Sequence, residues 1–182
     1  LPFDILLHIL FLLKPRDILV SRQTCSVMRD ASTNHSMWKN VLRRVCIENS
    51  IFLPSDILNY MPRLELEQAA TGPSRFISHV RNPSPEGIIE AYSKRQLSTS
   101  LVENPHNTAD EEILHLHLIP GGRFLISHHV RQLRMWDIGT PGMNWGPTTV
   151  LSPLATLNRY CKNVYVAHST RDGEGLIILA ST

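Results

Sequence analysis

The chain opens Leu1-Pro2-Phe3-Asp4-Ile5-Leu6-Leu7-His8-Ile9-Leu10-Phe11-Leu12-Leu13, and the reading of its N-terminal third turns on this stretch. Pro2 suits a helix start, and Asp4 puts a negative charge in the first turn, where the helix dipole favours it. The helix is expected to run to Leu13 and to stop before Pro15, since the residue ahead of a proline is pushed out of helical geometry. Around the helical wheel only Asp4 and His8 are polar. A surface helix normally shows one apolar stripe, so a helix apolar nearly all round needs cover on most sides. A small helical module hides only ~60% of its surface. A partner surface is therefore expected to complete the cover, with packing by later helices as the alternative. The stretch is far shorter than the ~20 residues that span a bilayer, and no basic segment precedes it, so neither an anchor nor a signal peptide is expected.

Outward from this helix, Asp17 can cap a second one from Ile18 to about Asp30. The polar run Ser32-Thr33-Asn34-His35-Ser36 breaks it. Ser36 can then cap a third helix carrying Met37, Trp38, Val41, Leu42 and Val45 at helical spacing. Further on, Pro54-Ser55 can open a short helix to Tyr60, and Leu64 to Ala70 suggest another, closed by Thr71-Gly72-Pro73. Phe76, Ile77 and Val80 suggest one more, before Asn82-Pro83-Ser84-Pro85 ends the pattern. Residues 47–112 are expected to form a helical or irregular linker.

The last third changes period. Ile113, His115, His117 and Ile119 alternate with Leu114, Leu116 and Leu118, which is a strand pattern. Pro120-Gly121-Gly122 has proline and glycine where a tight turn requires them. Phe124 to Ser127 and Leu133 to Ile138 read as two further strands, giving a three-stranded antiparallel meander. A weaker echo follows: Val164 to Ala167, a turn at Arg171-Asp172-Gly173-Glu174-Gly175, and Leu176 to Leu179. The two turns stand about 50 residues apart, near the period of propeller blades. Residues 113–182 are thus expected to hold one blade and part of a second.

Two of these segments resemble known families. Leu1-Pro2 with Asp4 and the aliphatic run, Leu13-Lys14-Pro15-Arg16-Asp17-Ile18-Leu19, Arg22-Gln23-Thr24-Cys25 and Trp38 resemble the F-box motif over residues 1–46. Asp4 stands where that motif more often has Glu, Thr24 where it has Val, and Met28 where an aromatic is frequent. The stretch from Leu118 to Ser127, ending in Leu133-Arg134-Met135-Trp136-Asp137, resembles a WD-repeat blade. An F-box followed by a WD-like propeller is an architecture of fungal type. The resemblance implies an α+β chain: a three-helix F-box, a helical linker, and the first blades of an incomplete propeller. It implies a non-enzymatic substrate receptor that binds a Skp-type adaptor and, through it, a cullin, in a ubiquitin ligase. On that resemblance Leu1, Pro2, Ile5, Ile9, Leu13, Pro15 and Leu19 are expected at the adaptor interface. Trp38 is expected either there or locking the third helix. A chain that starts at Leu1 and stops at Thr182 within an unfinished blade is expected to be a fragment of a longer protein.

Composition narrows the rest. With 42% hydrophobic and 19% charged residues the chain can build a core and is not of disordered composition. A net charge of +2, with basic residues clustered only as the pairs Arg43-Arg44 and Lys94-Arg95, is no nucleic-acid footprint. Cys25, Cys46 and Cys161 are odd in number and lack CxxC spacing, which points to a reducing compartment, cytoplasmic or nuclear. Walker, GxGxxG, GxSxG and HExxH signatures are absent. A chemical alternative rests on histidine: His115 and His117 share one strand face, His128 and His129 lie across the hairpin, and Asp110 to Glu112 are nearby. Lacking a third ligand at diagnostic spacing, the site is expected to hold no metal or cofactor. The other alternative is an F-box scaffold that works outside a ligase.

Overall fold

The computed structural model describes residues 2–82, 97–99, 112–139, 149–159 and 161–181. It divides into two compact units. Among the described residues the first holds six helices: α1 (Phe3–Leu12), α2 (Pro15–Ser21), α3 (Ser26–Ser32), α4 (His35–Glu48), α5 (Ser55–Tyr60) and α6 (Arg63–Arg81). The second holds Ser50–Phe52 and eight strands: β1 (Leu97–Thr99), β2 (Ile113–Leu118), β3 (Phe124–His129), β4 (Leu133–Asp137), β5 (Thr149–Leu151), β6 (Ala155–Leu157), β7 (Asn163–Ser169) and β8 (Leu176–Ser181).

The helical unit departs from the sequence reading in three places. The expected second helix is two, α2 and α3, so residues 1–48 form four helices rather than three. The break is a tight turn: the Gln23 amide bonds the Val20 carbonyl at 3.0 Å and the Thr24 amide the Ser21 carbonyl at 3.1 Å, with Ser21 Oγ and Thr24 Oγ donating to the Ile18 and Ser21 carbonyls, each at 2.7 Å. Cys25 is then extended, at φ −160° and ψ 164°, and exposed ahead of α3. Second, α4 is capped by Asn34 and not by Ser36: the Asn34 side chain accepts the Met37 amide at 2.9 Å. Third, α6 runs through Pro73 instead of ending there. The turn ahead of the proline is held by side chains: Thr71 Oγ donates to the Glu67 carbonyl at 2.9 Å and an Arg75 nitrogen to the Gln68 carbonyl at 2.9 Å. Burial of Leu66 and Ala70 anchors this half of the helix.

The core stripe of α4 is the expected one, with Met37, Trp38, Val41, Leu42 and Val45 buried and Cys46 added. Burial pushes the Cys46 thiol up to about 12, so it stays protonated at neutral pH and is no nucleophile. α5 and α6, read from sequence as part of a linker, belong to the same unit as α1–α4, and α6 packs on α4.

In the second unit β2, β3, β4 and β6 form one antiparallel sheet in that order. The expected meander is its first three strands, and β6, pairing Leu157 with Leu133, adds a fourth. β7 and β8 form an antiparallel hairpin where the sequence echo placed two strands, and β1 pairs in parallel with β5. At the first turn the Gly122 amide bonds the Ile119 carbonyl at 3.0 Å, with Pro120 and Gly121 between them. Gly121 sits at φ +102°, and a Cβ there would lie 2.5 Å from the Ile51 side chain, so both its conformation and its surroundings demand glycine. Next to it Phe52 packs on Phe124 at 5.1 Å between ring centres.

Candidate functional site: the outer face of the first helix

Leu6 and Leu10, four residues apart, point into the helical unit and are buried. Ile5, Ile9 and Leu12 point outward along another stripe of the helix, exposed by 45%, 40% and 84%. The sequence could not separate these stripes, because every position but Asp4 and His8 on the wheel is apolar. Leu12 is not among the expected interface residues and stands on this face with Ile5 and Ile9, whereas Phe3, 46% exposed, lies at the helix start on the side of Leu6 and Leu10. Pro2 is exposed, while Leu13, Pro15 and Leu19 are half-buried around the start of α2. Leu1 lies outside the described residues.

The C-terminal end of α1 carries no basic residue of its own. Arg44 of α4 supplies one, donating to the carbonyls of Phe11 and Leu13. A cation among the last carbonyls is where the helix dipole favours it, and it fixes how α1 presents its outer face.

Trp38 stands elsewhere. Its side chain is wholly buried, in keeping with the expected role of locking the helices together. An indole N–H needs an acceptor when buried, and Trp38 Nε1 donates to the Ser32 carbonyl at 2.7 Å. The Arg22 guanidinium lies over the ring, 5.6 Å from its centre. Arg22 in turn forks onto Glu67 of α6 at 2.8 and 2.7 Å and donates to the Ser32 carbonyl at 3.0 Å. No local signal in the sequence joins Arg22 to Glu67.

Of the sheet histidines, His128 and His129 are buried and His115 is exposed. His115 and His128 are register partners with rings stacked 5.9 Å apart. His128 Nε2 donates to the Cys161 carbonyl at 2.7 Å, since a carbonyl can only accept. Trp136 Nε1 donates to Ser127 Oγ at 2.8 Å, and that hydroxyl also bonds His129 Nε2 at 2.9 Å, all three side chains being buried. Asp137 pairs with Arg123 at 2.9 Å. Of the acids named near the histidines, Asp110 and Glu111 lie outside the described residues. Among the described residues no three His, Cys, Asp or Glu side chains are grouped to hold a metal ion. Among them, too, no helix is long and apolar enough to cross a membrane.

Residues 1–44 match the F-box-like family, so this segment is an F-box-like domain. Such a domain suggests a role in protein interaction. The matched segment contains all of α1 with its exposed apolar stripe. No curated protein matches the chain.

Proposed function

We propose that the chain is the non-enzymatic substrate-receptor subunit of a Skp–cullin–F-box ubiquitin ligase, working in the cytoplasm or nucleus. Leu1, Pro2, Ile5 and Ile9, with Leu13, Pro15 and Leu19, dock on a Skp-type adaptor that connects to a cullin. One observation carries this reading: within the F-box-like segment, α1 leaves Ile5, Ile9 and Leu12 exposed by 40–84% along one side. Burying each such half-exposed side chain is worth on the order of 1 kcal/mol, so the stripe supplies the core of an interface. Substrate is read by the β-rich unit, whose β2-β3-β4-β6 sheet and β7-β8 hairpin we take as WD-like blades of a propeller of fungal type. The four-stranded antiparallel order and the buried Trp136 support that assignment.

The test is a pull-down of a Skp-type adaptor and its cullin by the chain and by Ile9→Asp. An unpaired charge in a dry interface costs several kcal/mol. Recovery should be lost in the variant while its circular dichroism is unchanged. Equal recovery by both proteins would sink the proposal, and adaptor recovered without cullin would move the chain to an F-box scaffold outside a ligase.

A further inference from the structure

Apart from the α1 face, the helical unit carries a cleft of about 480 Å³ between α2 and α6. That volume is in the ~300–1,000 Å³ range of ligand-binding clefts. Arg16 and Leu19 line one side, and Leu64, Glu67, Arg75 and Ser78 the other. The lining's charge balance is one-sided. Glu67, its single acid, is already held by Arg22 at 2.7 Å and by Arg63 at 3.2 Å. Arg16 is exposed and has no ion pair among the described residues. Arg75 uses one nitrogen on the Gln68 carbonyl at 2.9 Å and keeps further donors for a ligand. The cleft therefore offers two guanidinium groups, with its one acid already paired, beside two leucines.

Its shape selects among anions. The lining follows α6 from Leu64 to Ser78, roughly 21 Å at 1.5 Å per residue, which suits an extended chain of about six residues rather than a point ion. No aromatic side chain lines it to stack a base. We propose that this cleft binds an acidic peptide segment of a partner protein, with carboxylates on Arg16 and Arg75 and apolar side chains against Leu19 and Leu64. This site lies away from the outer stripe of α1, shares only Leu19 with the surface proposed for the adaptor, and does not depend on the adaptor reading.

The experiment is fluorescence anisotropy of a labelled hexaglutamate peptide titrated with the whole chain at low salt. The same titration is run with hexaglutamine, and inorganic phosphate is tested alone. Saturable binding of hexaglutamate, none of hexaglutamine, and a fall with added salt are expected. Arg16→Gln with Arg75→Gln should weaken binding at least about tenfold, because each lost contact is a charge-assisted hydrogen bond. The equal charge change at exposed positions outside the cleft, Arg29→Gln with Arg81→Gln, should leave it intact, as should Ile9→Asp on the α1 face. No hexaglutamate binding, equal weakening by both arginine pairs, loss of binding in Ile9→Asp, or binding of phosphate in place of peptide would each overturn the proposal.

Discussion

Arg22 and Glu67 meet through two parallel hydrogen bonds of 2.8 and 2.7 Å, joining the turn after α2 to the N-terminal part of α6, with the guanidinium over the Trp38 ring. Their side chains are 21% and 14% exposed, so the pair is weakly screened. We predict that Arg22→Ala destabilises the helical unit by ~2 kcal/mol, between the values for exposed and buried pairs. Arg22→Lys should recover only part of that, since a lysine keeps the charge but cannot fork. The urea midpoint of each variant checks this, and a midpoint unchanged in Arg22→Ala would show the pair to be idle.

The two faces of α1 should answer differently to truncation. Leu10 is fully buried, and Leu10→Ala is expected to cost ~2–5 kcal/mol. Ile9, 40% exposed, should cost less than about 1 kcal/mol as Ile9→Ala. Comparing urea midpoints of the two variants tests the orientation of the helix: similar losses would mean it is rotated from the arrangement described.

In the sheet, Ser127→Ala removes the acceptor of the Trp136 indole N–H and leaves a buried donor unpaired. We predict a loss of ~1–3 kcal/mol. A change in the near-ultraviolet tryptophan signal should accompany it, and Ser127→Thr should restore much of both. A variant as stable as the parent would mean the indole finds another acceptor.

Thiol chemistry should follow burial. Cys25 is exposed, whereas Cys46 is buried with its thiol raised to about 12. At pH 8 a thiol reagent should label Cys25 at once and Cys46 only on unfolding, as peptide mass mapping would show. The raised value also sets the sign of a pH effect. Above the ordinary thiol value of 9.0 the unfolded chain loses a proton that the folded one keeps, so this contribution is whole below 9 and erodes as pH climbs toward 12. Unfolding midpoints unaffected across that window in the parent, relative to Cys46→Ala, would contradict it.

Local chemistry was legible in the sequence and distant pairing was not. The apolar stripe of α4 follows from spacing alone, and so does the turn at Pro120-Gly121-Gly122, because each depends on neighbours within a few residues. The split between α2 and α3 lies in a tight turn closed by the Gln23 and Thr24 amides, which helix periodicity does not register. β6 is three residues long, Ala155–Leu157, and shows no alternation to find; its partner β4 defines it. At the candidate interface an almost uniformly apolar α1 announced the need for a partner yet hid which stripe would serve. The packing of Leu6 and Leu10, and the Arg44 contacts that fix the end of α1, decide it.

The grip of Glu67 on Arg22 has a practical consequence for dividing the gene. The F-box-like match ends at residue 44, but the acid that steadies Arg22, and the Leu66 and Ala70 side chains that roof α4, are encoded after it. A product cut at the motif boundary would carry a half-buried guanidinium without its counter-ion and an uncovered apolar seam along α4. Expression of the interaction module on its own should therefore extend through Arg81, where α6 ends, and the shorter piece should be recovered mainly as insoluble material.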